Sequence, residues 1–195
     1  MNELGDAVVP IANVMVNRSV KALVAYLGPL LVFDYIVPRR RLPAECPGFF
    51  ALLGKVCQTI FVYDFIFFFI HLAMHRLRIL AVLGHQKHHE TAVLASVEVI
   101  NHSFIDGSLQ VAANIVALKL CAAHPLSRAL HNIIVTYLLT ETHAGYDAPW
   151  MLHNLIPFGI LGGPPAHEIH HRSGARNFQQ FFTYLDKAYA YWTKR

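Results

Sequence analysis

The stretch His85-Gln-Lys-His-His89 places three imidazoles at positions i, i+3 and i+4, and the pattern returns at His167-Glu-Ile-His-His171. Residues at these spacings project from one face of a helix, so we expect the three rings of each stretch to converge on a common point. A third stretch, His71-Leu-Ala-Met-His75, is an i, i+4 pair with the same property. These three clusters use eight of the thirteen histidines, and we expect the fold to bring them together.

The composition is that of a membrane protein. The 195 residues are enough for a single domain, or for two small ones, with a buried core. Of these residues 55% are hydrophobic and 14% are charged, against roughly 25% charged in ordinary soluble domains. The net charge is +4, but no basic stripe interleaved with exposed aromatic residues accompanies it. We therefore expect no nucleic-acid partner and interpret the basic excess as a membrane topology signal.

Cysteine and serine chemistry has little support in the sequence. The three cysteines, Cys46, Cys57 and Cys121, are odd in number and form no C-x-x-C pair. A disulfide framework or a cysteine-zinc site is therefore not expected, and we interpret the cysteines as buried free thiols. Ser96 and Ser108 have no His/Asp arrangement around them, which argues against nucleophilic hydrolysis.

Apolar runs mark the membrane segments. Residues 22–37 form the first run, which is short for a bilayer crossing and is interrupted by Gly28-Pro29. We expect it to be tilted, kinked or only partly inserted, because a full crossing needs about 20 apolar residues. The strongest span runs from Phe49 to Met74 and leads directly to His75. The first histidine pair is therefore predicted to lie at the end of a membrane helix.

The apolar parts at about 104–122 and 130–140 are predicted to form a helical hairpin that crosses and returns. Such a hairpin would bring His143 back to the side on which His85 lies. A cytosolic location of the clusters agrees with the positive-inside rule, although Arg39-Arg40-Arg41 is an exception if residues 22–37 cross fully. The basic residues that this topology places inside are Arg76, Arg78, Lys87, Arg172, Arg176, Lys187, Lys194 and Arg195.

These segments predict an all-α integral membrane helical bundle of about three to four membrane helices with a cytosol-facing, histidine-rich cap. We expect residues 1–48 to form an N-terminal segment with a short membrane-associated helix. Residues 49–195 are expected to form the domain that carries the histidine clusters.

The residue type of the clusters indicates metal binding. Neutral imidazole binds iron, zinc, copper and nickel, whereas calcium and magnesium prefer oxygen ligands. Eight to ten imidazoles exceed what one tetrahedral zinc ion uses, so we infer a two-metal centre. The alternative is that the histidines decorate a basic cytosolic loop without binding anything. The recurrence of H-x-x-H-H, and the cost of polar groups beside a bilayer, favour metal.

Other polar residues are weaker candidates. His143 is predicted to be a ligand, and Asp147 would share its helical face as a ligand or as a hydrogen-bond acceptor if the helix continues past Gly145. His102 and His153 are each interpreted as a ligand, a substrate-pocket residue or a polar residue at a helix end. Histidines at the far turn of the hairpin, His124 and His131, are interpreted as structural. The candidates to accept hydrogen bonds from the N–H groups of metal-bound histidines are Glu90, Glu98, Asp106 and Glu168.

The order H-x-x-x-H, H-x-x-H-H, H-x-G-Y, H-x-x-H-H in a membrane chain resembles the fatty acid hydroxylase/sterol desaturase superfamily of integral-membrane di-iron oxygenases. The similarity covers about residues 50–190, and Leu185 stands where that family often has tryptophan. Its cholesterol 25-hydroxylase and methylsterol monooxygenase branch is the most similar. The residues that carry this likeness are His143, Gly145-Tyr146, Trp150, Pro157, Gly162-Gly163 and Asn177-Phe178.

This resemblance implies a lipid monooxygenase, with a sterol as the expected substrate, in the endoplasmic reticulum membrane with several crossings. It implies two iron ions, dioxygen as co-substrate, and electrons from NAD(P)H through a reductase or a cytochrome b-type carrier, since the chain lacks a Gly-rich nucleotide fingerprint. It assigns no acid or base role to the metal ligands. The implied ligands are His71, His75, His85, His88, His89, His143, His167, His170 and His171.

Three alternatives remain open from the sequence. The same centre could desaturate a lipid, or hydroxylate a fatty acyl chain or sphingoid base. A protein of another class, a membrane metal-binding or transport protein, would also use histidines, although these histidines gather at one membrane face and do not line a path across. The third alternative is a degenerate homologue with a scaffold role.

Overall fold

The computed structural model describes residues 45–90 and 94–193, together with isolated positions before residue 45. The expected N-terminal segment 1–48, with its partial span at 22–37, lies largely outside the described residues. The described portion of the chain is helical and contains no strand; its single extended pairing is an antiparallel bridge between Leu161 and Phe182. The all-α prediction is confirmed for this portion of the chain.

Seven α-helices follow one another in the described chain. They are α1 (Phe49–Arg76), α2 (Arg78–Leu83), α3 (Phe104–Leu120), α4 (Pro125–Thr142), α5 (Leu152–Leu155), α6 (Gly163–Ser173) and α7 (Tyr184–Thr193). Two 3₁₀ helices, His85–Glu90 and Ser96–Ile100, lie between α2 and α3. The predicted span, the predicted hairpin and the histidine motifs therefore all fall on or directly beside helices.

Helix α1 is the central element of the bundle. Its 28 residues extend about 42 Å at 1.5 Å per residue, which exceeds the roughly 30 Å of a bilayer's hydrocarbon core. One face packs against α3 and α4 through side chains such as Tyr63 and Phe67, while Phe61, Phe65 and Phe69 are exposed. Within the described residues α1 is the one helix both long and apolar enough to cross a membrane. Three or four crossings therefore remain a prediction.

The predicted hairpin is present as α3 and α4, joined by the short turn 121–124. The side chain of Ser103 accepts a hydrogen bond from the Asp106 backbone N–H and so caps α3. His124 caps α4 in the same way, with Nδ1 accepting from the Leu126 N–H. Between the helices Asn114 donates to Asn132 at 3.0 Å. The hairpin returns the chain to the histidine end of α1, as predicted.

The interpretation of the cysteines is only partly correct. All three are free, and Cys121 is buried, but Cys46 and Cys57 are exposed. The correction for Cys57 follows from the helix geometry, since it lies on a face of α1 that does not pack against α3 and α4.

Gly145 allows the chain to turn directly after α4. Its φ is +75°, and a Cβ there would lie 2.0 Å from the Leu94 carbonyl oxygen. We expect Gly145→Ala to destabilise the protein by roughly 1–3 kcal/mol from backbone strain alone. The overlap of the added Cβ with the Leu94 carbonyl oxygen would increase this loss of stability. Gly54→Ala is the control, since Gly54 lies in α1 with nothing within 4 Å of an added Cβ. Equal melting temperatures for both variants in detergent would contradict this prediction.

Candidate metal centre

Four elements bring nine histidines together at one end of the bundle. The end of α1, the 3₁₀ helix His85–Glu90, the residue after α4 and helix α6 each contribute at least one ring. The rings form two groups, and within each group one nitrogen per ring lies within 4.8 Å of every other. The first group is His71, His75, His85, His89 and His170, and the second is His88, His143, His167 and His171.

The two H-x-x-H-H motifs contribute to both groups, which corrects the expectation that each converges on a single point. In each motif the i and i+4 rings enter one group and the i+3 ring enters the other. At 100° per residue, His170 and His171 of α6 point about 100° apart, on either side of His167. His167 and His171 therefore turn to the second group, while His170 turns to the first. The motif His85–His89 is divided in the same manner, with His88 alone in the second group.

The spacing in the first group fits a metal ion. The Nε2 atom of His85 lies 2.9 Å from that of His71, 3.0 Å from that of His75 and 3.0 Å from that of His89. The Nε2 atom of His170 lies 3.1 Å from that of His75 and 3.2 Å from that of His89. Two nitrogens each about 2.1 Å from a metal, and at right angles, lie roughly 3.0 Å apart. Five nitrogens at this spacing match one coordination shell.

The second group has a similar spacing between ring nitrogens, with four nitrogens instead of five. The Nε2 atom of His167 lies 2.9 Å from that of His143 and 3.1 Å from that of His171. His88 completes the group, its Nε2 atom 3.3 Å from that of His143. Each group could therefore hold one metal ion.

Hydrogen bonds at the opposite ring nitrogen determine where the protons lie. His71 Nδ1 donates to the Phe178 carbonyl at 2.7 Å, and His170 Nδ1 donates to the Arg176 carbonyl at 2.8 Å. His143 Nδ1 is 2.8 Å from the Leu139 carbonyl. A carbonyl oxygen can only accept, so Nδ1 carries the proton in each of these rings.

The Nε2 atoms of these rings consequently present lone pairs. Two facing lone pairs about 3 Å apart, with no proton between them, repel each other. A cation at the centre of each group turns that repulsion into coordination. The chemistry of the donor set, nine neutral imidazoles without a carboxylate, suits iron, zinc or copper and does not suit calcium or magnesium.

Burial keeps the rings in the form that binds metal. Burial, followed by the neighbouring imidazoles, lowers the pKa of His88, His167 and His170 well below the ordinary value for histidine. The same burial lowers the pKa of His89 to about 4. A protonated imidazole cannot coordinate a metal, so the lowered pKa values favour metal binding at neutral pH.

Asp106 holds a ring of the first group, His85, and the neighbouring ring of His102 through a single carboxylate oxygen. Its Oδ2 atom accepts from His85 Nδ1 at 3.2 Å and from His102 Nδ1 at 3.1 Å. The His102 ring stacks on His88, with ring centroids 4.4 Å apart and planes inclined by 15°. His102 therefore lies beside the second group, outside the set of nine. Glu168 pairs with Arg172 instead of a clustered histidine, and Glu90 is exposed.

The remaining candidates lie away from the two groups. Helix α4 ends at Thr142, so Asp147 does not share its face with His143; its Oδ1 atom lies 3.0 Å from His153 Nε2. His124 caps α4, and the buried His131 hydrogen-bonds through Nδ1 to the hydroxyl of Thr59 at 2.9 Å. The structural interpretation of His124 and His131 agrees with these contacts.

We expect Asp106→Asn to weaken metal binding by about 10- to 100-fold, which is the usual cost of losing a partner that orients a ligand. The amide oxygen of asparagine can take the place of Oδ2, but it lacks the negative charge of the carboxylate, so the hydrogen bonds from both His85 and His102 are weakened. Competition with a chromogenic chelator measures the affinity. Asp147→Asn is the matched control, since its carboxylate also contacts a histidine but lies outside both groups. The same affinity for both variants would contradict the orienting role of Asp106.

The described residues line one cavity beside the histidines and another between the helices. One, of about 340 Å³, opens beside His75, His85 and His89 of the first group and is also lined by Gln86 and Arg172. The other, of about 240 Å³, lies between α1, α3 and α4. Its walls include Tyr63, Gln110, Val111, Asn114, Asn132, Val135, Thr136 and Leu139.

Sequence reasoning named Asp106 correctly as an acceptor for a ligand N–H group but missed the other acceptors that hold the rings. Backbone carbonyls such as those of Phe178 and Arg176 carry no residue-specific signal. It also missed Asp64, a fully buried carboxylate in the middle of α1. The signal for Asp64 was present, because a charged residue inside a long apolar run is costly and is therefore a candidate for a specific role.

Comparison with known proteins finds one matching family model and several similar proteins. The family model described as fatty acid hydroxylase matches residues 56–190. A cholesterol 25-hydroxylase-like protein of Danio rerio is 31% identical over 167 residues, covering 85% of this chain and 66% of that protein. Cholesterol 25-hydroxylase of Mus musculus is 30% identical over 190 residues, covering 88% of this chain and 61% of that protein. No solved structure matches the chain.

The chain spans less than the full length of these relatives. The human cholesterol 25-hydroxylase is 28% identical over 172 residues, which is 84% of this chain and 60% of that protein. The region matched by the family model nevertheless includes all nine grouped histidines, from His71 to His171.

Proposed function

The chain belongs to the fatty acid hydroxylase family, and on that premise we propose that it is a membrane-bound monooxygenase that hydroxylates a lipid, specifically a sterol. The observation that carries the proposal is the pair of histidine groups, in each of which one nitrogen per ring lies within 4.8 Å of every other. The names of the relatives, cholesterol 25-hydroxylase and cholesterol 25-hydroxylase-like protein, support a sterol as substrate.

The proposed cofactor is a pair of iron ions, one in each group. The first ion would be held by His71, His75, His85, His89 and His170, and the second by His88, His143, His167 and His171. Iron bound there supplies the redox chemistry by which dioxygen, two electrons and two protons convert a C–H bond to C–OH and release water.

The side chains of the protein position this centre and keep bulk water out. Hydrogen bonds from Nδ1 to Phe178, Arg176 and Asp106 fix the orientation of individual rings. His170 is fully buried and His88 is only 4% exposed, so solvent has little access to the ring nitrogens. A dry site is suited to a reaction at an unactivated C–H bond, because water would otherwise compete for the oxidant.

The cavity between α1, α3 and α4 is the proposed site for the reacting part of the lipid. Gln110 lies one helical turn after Asp106, and the Leu139 carbonyl accepts a hydrogen bond from His143, so two of the residues that line the cavity connect it to the metal centre. The cavity wall is apolar at Tyr63, Val111 and Leu139, which suits a hydrocarbon chain.

The proposed topology places the histidine end of α1 at the cytosolic face of the endoplasmic reticulum membrane, with the α3–α4 hairpin also inserted. Basic residues at that end, including Arg76 and Arg172, agree with a cytosolic location. Electrons would then come from NAD(P)H through a reductase or cytochrome b-type carrier on the same side. Residues 49–195 would form the catalytic domain.

The test is to supply isotopically labelled dioxygen to cells that express the protein, and to compare their sterols and fatty acids by mass spectrometry with cells that lack it. The proposal predicts a sterol that carries one labelled oxygen atom only when the protein is present. A product that has lost two hydrogens and carries no label would identify a desaturase instead. An unchanged lipid profile with intact, metal-loaded protein would favour a metal-binding or scaffold role.

A further inference from the structure

A carboxylate occupies the middle of the most apolar helix of the structure. Asp64 is 0% exposed, and α1 surrounds it with aromatic and aliphatic residues. Burial of a charge is costly unless it is fully hydrogen-bonded, and Asp64 meets that condition. Its Oδ1 atom accepts from the Phe181 backbone N–H at 2.7 Å, and its Oδ2 atom accepts from Gln179 Nε2 at 2.7 Å.

A second carboxylate, that of Asp186, also holds the segment 178–181, to which the partners of Asp64 belong. Asp186, in the first turn of α7, accepts from the backbone N–H of Phe178 at 2.7 Å and from that of Gln179 at 2.9 Å. The Gln179 side chain joins the Asp64 carboxylate to the start of α7, because its Oε1 atom accepts from the Leu185 N–H at 2.6 Å while its amide nitrogen donates to Asp64. We refer to Asp64, Gln179 and Asp186 as the clamp.

The segment that the clamp holds reaches the first histidine group at Phe178. The Phe178 carbonyl accepts the proton of His71 Nδ1 at 2.7 Å. The Phe178 ring is fully buried, with its centroid 6.0 Å from that of His71, 5.4 Å from that of His75 and 5.6 Å from that of His170. These three histidines all belong to the first group.

We propose that Asp64 is a positioning residue for the first metal ion, and that it acts through Gln179 and Phe178 on His71. The inference rests on the proposed function, because it requires a metal ion in the first group. Asp64 fixes the segment 178–181 on α1, and Asp186 fixes it on α7. The Phe178 carbonyl is thereby held where it keeps the proton of His71 on Nδ1 and directs Nε2 to the metal.

The inference explains why a carboxylate is present at this place. Two donors, the Phe181 N–H and the Gln179 amide, point at the side chain of Asp64, so two acceptor atoms are needed. An asparagine has one acceptor and would turn its own N–H₂ group toward the N–H₂ group of Gln179. The double variant Asp64→Asn/Gln179→Glu exchanges the carboxylate and the amide. It restores the pairing, because the introduced amide can then donate to the introduced carboxylate.

The experiment measures metal binding without turnover. The full chain, purified in detergent and stripped of metal, is titrated with zinc against a chromogenic chelator. We expect two zinc sites in the wild type. Asp64→Asn should weaken one of them about 10- to 100-fold and leave the other unchanged. The double variant Asp64→Asn/Gln179→Glu should restore that affinity to within about 10-fold of the wild type, and Asp147→Asn serves as the unaffected control.

Each outcome decides between positioning and a general structural role. Equal weakening of both zinc sites by Asp64→Asn, or weakening of neither, would overturn the proposal. The proposal would also be overturned if the double variant bound zinc no more tightly than Asp64→Asn alone. If Asp64→Asn does not fold, Asp186→Asn applies the same test from α7. A wild-type protein that binds no zinc at either group would instead refute the metal centre itself and with it the proposed function.

Discussion

Replacing His170 by alanine is expected to reduce bound metal from two ions to one per chain and to abolish lipid hydroxylation. His170 is fully buried, and its Nε2 atom lies 3.1 Å from that of His75 and 3.2 Å from that of His89. Loss of a partner that only orients a ligand already costs about 10- to 100-fold, so loss of the ligand itself should lower turnover by more than about 100-fold. Metal analysis and product quantification on the same sample measure both effects.

His167→Ala should give the same result through the second group, which would show that both ions are needed. The control is His124→Asn, because asparagine can still cap α4 and residue 124 lies at the far turn of the hairpin. A His170→Ala protein that retains two metal ions or normal turnover would contradict the assignment of this residue. Loss of both ions from either single variant would point to unfolding, and circular dichroism of the same sample identifies that case.

The second large effect expected is the loss of stability on metal removal. Without a cation, neighbouring ring nitrogens such as Nε2 of His71 and Nε2 of His85 face each other 2.9 Å apart with no proton between them. Structural zinc sites in small peptides contribute about 10–16 kcal/mol, and each kcal/mol corresponds to roughly 2–4 °C in a chain of this size. We therefore expect a strong chelator to lower the melting temperature in detergent by more than about 10 °C, and iron or zinc to restore it.

The matched control for metal removal is the double variant His167→Ala/His170→Ala, in which each group has lost one ring. Its melting temperature should respond much less to the chelator, because both sites are already weakened. A wild-type melting temperature unchanged by the chelator, with removal of metal verified by elemental analysis, would contradict a structural contribution of the metal.

The sequence was sufficient to predict which histidines meet. Motif spacing identified the rings, and the apolar runs predicted the long helix α1 and the hairpin that returns His143 to the other clusters. These features are local or depend on a simple count of helices. The division of each H-x-x-H-H motif between two groups was not predicted, because it depends on how α6 and the 3₁₀ helix His85–Glu90 face each other.

Interactions between distant residues were also beyond prediction. Asp64 is paired with residues 115 and 117 positions later in the chain, and no local pattern indicates such partners. The condition on which Asp147 would share a helical face with His143, continuation of the helix past Gly145, is not met. Gly145 adopts a positive φ directly after α4, and this turn separates Asp147 from the face that carries His143.

The central claim is that the nine histidines hold two metal ions. Anomalous diffraction from crystals of the iron-loaded protein, collected on both sides of the iron absorption edge, tests it most directly. The account predicts two iron peaks, one surrounded by His71, His75, His85, His89 and His170, and the other by His88, His143, His167 and His171. A single peak, or iron bound away from these rings, would contradict it.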